Sequence, residues 1–452
     1  MRPVRPRKLF TVVVAATALA LSGCAGGGSG SGPQPLEVVF IDEGNASLST
    51  YMHQVAADYE RAHPDVPVRL VPVKATESDY YTKVALMNRT PSTAPDVIWE
   101  DTFQVKADAA AGYLEPLDAR LAAWPDWKQF VRAGRAGGRG TDGKQYGVPA
   151  GTDMQALWYN RALLKKAGVD VPWKPRSWAD VRAAAKAVKR TSPGVTPLNV
   201  YDSKVGAEAT SVRGVQTLLS GTGDSLYEKG RWVTRSPGLT QTLGFLRTLY
   251  RGGLLLGDQT TSDPNYSNIP ATMLRSGKLA IDADGSFISN AWVKGGDDPW
   301  PQWDRVLGVA ATPTRTGQEP GTTSMSGGWT WAVGARSPRK DAAFDWVNTA
   351  TSKRNALRYA LSQSNIPVRR DAAGDARYTG SNPTAEFFSS LIDVTHFRPA
   401  ISTYPQVSNE LSGAADAVTQ GGLSPSAAVD QYDGAVADIV GRGATTSAGG
   451  RR

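Results

Sequence analysis

A single cysteine among 452 residues excludes any intramolecular disulfide and any cysteine-built zinc or iron–sulfur site. Histidine is almost as scarce. His53, His63 and His396 stand without metal-ligand spacing, which excludes a zincin-type centre, and no metal or cofactor is expected. Long apolar runs are missing: no stretch reaches about 18 residues, so the body is not expected to span a membrane. Positive charge is less abundant than the net +8 suggests, because Arg2, Arg5, Arg7 and Lys8 supply half of it. The rest of the chain carries 46 basic against 42 acidic side chains, with no Lys/Arg run or basic stripe. Without clustered charge to neutralise phosphates, no nucleic-acid partner is expected.

Catalytic signatures are absent as well. There is no Walker A sequence, no GxSxG elbow, no GxGxxG after a strand and no HExxH. Asp282-Ala283-Asp284-Gly285 has part of a calcium-loop spacing but lacks the other ligands and the terminal Glu, and it reads as a turn after a strand. What is present is a composition of 40% hydrophobic and 20% charged residues, ample for large cores. At about 150 residues per domain the length suggests two or three domains.

The first 23 residues read as a lipoprotein signal peptide. A basic start (Arg2 to Lys8) precedes the apolar run Leu9–Leu21, which is too short to remain as a spanning helix. Leu21-Ser22-Gly23-Cys24 resembles the bacterial lipobox, which implies lipidation of Cys24. Residues 24–35, rich in Gly and Ser, read as a flexible tether. The expected location is the outer face of the cytoplasmic membrane, with the chain held there by its lipid.

Strands and helices alternate from Leu36. Strand patterns at Leu36–Asp42, Val66–Val73 and Pro95–Trp99 alternate with helical patterns at Leu48–His63, Asp79–Asn88 and Phe103–Ala111. Such βα repeats indicate a parallel sheet, whose ligands sit beyond the carboxyl ends of the strands. Glu43 and Asn45 follow the first strand, and Glu100 and Asp101 the third. The chain changes character near Gly147, and Ser177-Trp178-Ala179-Asp180 reads as a capping box. The tail from Ala444 to Arg452 reads as disordered.

Several segments in order resemble the family 1 extracellular solute-binding proteins, the carbohydrate-binding lipoproteins of ABC importers. They include Asp142-Gly143-Lys144-Gln145-Tyr146-Gly147-Val148-Pro149, Leu157-Trp158-Tyr159-Asn160, Arg275-Ser276-Gly277-Lys278-Leu279-Ala280, Gly327-Gly328-Trp329 and Asn365-Ile366-Pro367. The resemblance covers essentially residues 36–440 and is nearest to trehalose- and maltose-type lipoproteins. It implies an α/β, periplasmic-binding-protein-like fold with two lobes, a hinge and an interlobe cleft. One lobe would be 36–150 with 308–350, the other 151–307 with 351–445, and 446–452 a disordered tail. The implied function is binding, not catalysis: capture of a di- or oligosaccharide by a monomer that delivers it to ABC permease subunits through hinge closure. A non-sugar solute (glycerol phosphodiester, polyamine or peptide) is the alternative, and a secreted glycoside hydrolase a more distant one.

Sugar recognition needs aromatic planes for the C–H faces and polar groups for the hydroxyls, and 13 tryptophans suit that chemistry. The resemblance places ligand contacts at Glu43, Asn45, Asp101, Asp153 and Gln155. Gly327 and Gly328 would admit close backbone approach, and Trp329 would offer a stacking plane. Phe287 stands where many relatives carry Trp. Arg398 would fork onto hydroxyls, and Tyr404 belongs to the same late segment.

Overall fold

In a computed structural model the described residues are 34–447, apart from 45, 76, 294, 295, 297 and 382. Cys24, Asn45, the signal segment and tether up to residue 33, and residues 448–452 lie outside them.

Leu36–Asp42 is apolar at nearly every position, the pattern of a parallel strand covered on both faces. It forms β1, and β2 (Val68–Lys74) and β3 (Val97–Asp101) run parallel to it on either side. Two later strands, β4 (Gly147–Pro149) and β13 (Trp329–Val333), complete a first sheet of order β2-β1-β3-β13-β4. Its core includes Val38, Phe40, Ile98, Trp99, Trp331 and Trp346.

The second sheet is built around β5 (Asp153–Asn160), whose side chains alternate between two cores. Met154, Ala156 and Trp158 join Trp292 and Trp303, whereas Leu157 and Tyr159 join Trp173 and Trp178. On one side of β5 lie β9 (Leu279–Gly285) and then β6 (Thr196–Asn199). The other edge is shared by β10 (Leu307–Ala310) and β12 (Thr322–Gly327). Beyond β12 lie β11 (Thr312–Pro313) and β14 (Thr395–Phe397). A small third sheet joins β7 (Tyr227–Glu228), β8 (Arg231–Arg235) and β15 (Thr445–Ser447).

The chain passes between the two large sheets at β4 to β5 and again at β12 to β13. It passes a third time between helix Ala376–Ser381, packed on Lys353–Ser362, and helix Ala385–Ser389, packed on β5. Thr152 knits the hinge segments together. Its backbone exchanges hydrogen bonds with Ile366, at 3.0 and 2.8 Å, and its hydroxyl donates to the Gly327 carbonyl at 2.8 Å. Gly328 has φ +137°, and a Cβ there would lie 2.4 Å from the Gly151 carbonyl oxygen. Only glycine fits a crossing this tight.

Four expectations are corrected. Residues 308–327, expected with the first lobe, pair in the second sheet, because apolar β10 completes an open edge of β5. Helix Lys353–Ser362, expected with the second lobe, packs on Ala46–Ala62, where Tyr359 meets Tyr51 and Trp99. Thr446 and Ser447, expected in a disordered tail, belong to β15 and pair with β8. Asp282–Gly285 continues β9 instead of turning, because Asp282 and Asp284 find buried partners on one face. Ser177 does cap its helix, but Asp180 bonds the Arg176 N–H at 2.8 Å, one residue before the position that a capping box would use.

Candidate functional site: the interlobe cleft

Asp101 closes β3 at the carboxyl end of the parallel strands, where ligands of such sheets gather. Its Oδ2 accepts from the Tyr81 hydroxyl at 3.0 Å, and its Oδ1 accepts from the Phe103 N–H at 3.3 Å. Arg398 donates to the same Oδ1 from Nη2 at 2.9 Å. Because Arg398 follows β14 of the second sheet, this ion pair spans the cleft. Its Nη1 donates to Glu208 at 3.2 Å, and its guanidinium lies 4.3 Å from the centre of the Phe103 ring. Burial raises the Asp101 carboxyl, and Arg398 opposes the rise. Burial lowers the Arg398 guanidinium, but Asp101 and Glu208 more than offset that, and the group stays charged.

A second set of groups lies around Arg213, carried on a π-helical segment, Thr210–Gln216. Such segments are common at functional sites. Arg213 pairs with Asp284 at 3.1 Å, and Tyr201 donates to the same carboxylate at 2.8 Å. The field of Arg213 also reaches Glu43 and Glu77 in the first lobe. Glu77 donates its backbone N–H to Glu43. Burial pushes the Glu77 carboxyl up to about 8, with Glu43 and Asp101 adding to the rise. Glu43 is solvent-exposed beyond β1, yet the surrounding protein still raises its carboxyl against the pull of Arg213.

Of the residues expected here, the structure gathers Asp101, Asp153 and Arg398 most closely. A Cβ on Gly327 would meet Arg398 Nη2 at 2.9 Å and Asp153 Oδ2 at 3.4 Å, so this glycine makes room for charged groups. Burial raises Asp153 to about 6 despite Arg398. Trp329 pairs with Asp101 across β13 and β3, is half-buried, and stacks on Trp99 with ring centres 5.7 Å apart. Gln155 is buried, and its Oε1 has no protein hydrogen-bond partner. Phe287 lies 4.9 Å from the Arg213 guanidinium. Gly328 serves the hinge.

Tyr404 differs from expectation. It is fully buried in the core of the second lobe, where its hydroxyl accepts from Gln216 at 2.8 Å and donates to Glu208 at 2.6 Å. It positions Glu208, and its ring packs on Phe103 of the first lobe with ring centres 5.1 Å apart. Sequence reasoning also missed Glu77, Tyr81, Glu208, Arg213 and Asp284. For Asp282 and Asp284 a signal existed: two carboxylates two residues apart after an apolar run share one face of a strand. Arg213 carried none, because nothing local marks one arginine of a helical segment as the partner of a distant strand.

These features define a two-lobed binding fold with a charged and aromatic cleft. The model of the family described as bacterial extracellular solute-binding protein matches residues 45–357, and the chain belongs to that family. This is a family of binding proteins, not of enzymes. A probable ABC transporter-binding protein of Deinococcus radiodurans is 28% identical over 67% of this chain and 70% of its own length. The maltooligosaccharide ABC transporter solute-binding lipoprotein of Streptococcus pneumoniae is 24% identical over 80% of each. Among solved structures, the GacH receptor of Streptomyces glaucescens, studied unliganded and with acarbose, superposes with a TM-score of 0.76. It is 24% identical, with 90% of this chain and 99% of that one covered.

Proposed function

We propose that the chain is the sugar-capturing subunit of an ABC importer, anchored through Cys24, and that it hands a small oligosaccharide to permease subunits as a monomer. The observation that carries this reading is the Asp101–Arg398 pair beside Trp329, which joins both lobes at one point of the cleft. Carboxylates accept from vicinal hydroxyls, an arginine fork donates to two oxygens, and an indole face covers sugar C–H groups. The maltooligosaccharide and acarbose named for two relatives support the same ligand class. A phosphodiester fits less well, because Glu43, Glu77, Asp101, Asp153, Glu208 and Asp284 surround only Arg213 and Arg398 in these networks.

The test is a thermal-shift panel of trehalose, maltose, cellobiose, maltotriose and glycerol phosphodiesters. A ligand at about 100 times its dissociation constant stabilises the folded state by about 2.7 kcal/mol. A sugar hit recovered chemically intact supports the reading. A phosphodiester hit, or a flat panel from folded protein, overturns the sugar assignment.

A further inference from the structure

The first lobe holds a second cavity, of about 490 Å3, lined by Phe130, Arg132, Arg135, Ala136, Arg139 and Arg370. Four of these six residues are arginines, and none is acidic. Arg132, Arg135 and Arg139 lie within eight residues of one another, and Arg370 arrives from a distant segment. Arg135 is held in place by hydrogen bonds to the carbonyls of Phe130 and Trp127, with its guanidinium 4.6 Å from the Trp127 ring. Arg370 is likewise fixed, donating to the Lys128 carbonyl at 2.9 Å. Carbonyls orient these guanidiniums without neutralising them. Arg132 and Arg139 are exposed and form no ion pair with a described residue.

The neighbouring Arg369 supplies a contrast within the same structure. It takes two carboxylates, Asp126 at 2.9 Å and Asp371 at 2.8 Å, and faces the Phe130 ring. Arg370, one residue on, has neither. Burial and the charges of Arg370 and Arg139 both lower the Arg135 guanidinium, the sign of like charges held together. Such clustering is unfavourable without an anion between the charges, and planar guanidinium forks match phosphate oxygens bidentately. The cavity lies within the usual size range of small-ligand sites.

We propose that this arginine cavity is a binding site for a phosphate-bearing ligand, separate from the interlobe cleft. The two sources of that chemistry are a free phosphate compound and the headgroup of an anionic lipid. None of the cavity's six lining residues belongs to the cleft networks.

Pyrophosphate titrated calorimetrically into the purified protein at about 0.15 M salt, where the screening length is about 8 Å, examines the first source. Vesicles of phosphatidylglycerol against phosphatidylcholine examine the second. R132E/R139E changes two exposed side chains, and an unchanged melting curve in buffer certifies its fold. Saturable pyrophosphate binding, weakened at least about tenfold in the variant, supports a soluble ligand. Preference for phosphatidylglycerol that the variant loses, without pyrophosphate binding, supports the lipid headgroup. Absence of both, or equal binding by wild type and variant, overturns the proposal.

Discussion

Arg398 shows how one side chain can hold a cleft together. Its two terminal nitrogens are taken by Asp101 of the first lobe and Glu208 of the second, and all three are largely buried. Removing the cation strands two carboxylates, and breaking a buried pair in this way costs about 3–5 kcal/mol. Arg398→Ala is therefore expected to lower the melting temperature as well as ligand affinity, in contrast to a purely ligand-facing arginine. Combining Arg398→Met with Asp101→Asn and Glu208→Gln should recover most of the stability, as read by denaturant titration. A triple variant no better than Arg398→Ala would mean that the loss comes from packing against Phe103.

At the scale of elements, two features can be tested separately. Gly328→Ala introduces a Cβ at φ +137° against the Gly151 carbonyl, where the backbone conformation itself costs about 1–3 kcal/mol for other residues. Urea unfolding should show that loss, whereas Gly413→Ala, in a helix with open space around it, should not.

The second feature is the pairing of β3 with helix Val105–Ala110, which sets Glu100 against Asp108 in a shared hydrogen bond. Burial raises both carboxyls, Asp108 to about 6 and Glu100 further. Both folded values lie above the unfolded ones, so the native state binds more protons. The resulting stabilisation is complete below about pH 4 and declines as pH rises through about 6. Melting temperatures measured between about pH 4 and pH 8 should fall along this window, less steeply in Glu100→Gln, whose amide needs no shared proton. An unchanged slope would remove the pair from the pH response.

At the scale of the whole molecule, Thr152 ties the β4–β5 and β12–β13 crossings to Ile366, and the two large cores meet where Phe103 of the first lobe packs on Tyr404 of the second, a contact that rotation about the hinge would separate. The Asp101–Arg398 pair is the bond that such a rotation would stretch. The bound sugar should favour the closed arrangement only by contacting both lobes, since equal affinity for two states shifts nothing. Small-angle scattering is expected to give a smaller radius of gyration with the sugar than without it. Weakening the latch by Asp101→Asn should enlarge the difference by opening the unliganded protein. Identical profiles with and without ligand would contradict closure.

Local pattern in the sequence determined a good deal. The apolar run of β1, its alternation with helices and the carboxylate at the end of β3 led to the parallel sheet and to Asp101, because burial on both faces and strand polarity are local properties. The glycine pair before Trp329 pointed to a special backbone, and φ at Gly328 gives the reason. Tertiary structure alone decided which sheet β10 and β12 enter, since an apolar strand carries no label for its partner edge. It alone turned Tyr404 into a core residue, set Glu208 and Arg213 against groups far away in sequence, and brought Arg370 to three other arginines. Charges paired over hundreds of residues leave no periodicity to read. Their partners are fixed only when the packing of both lobes closes the distance.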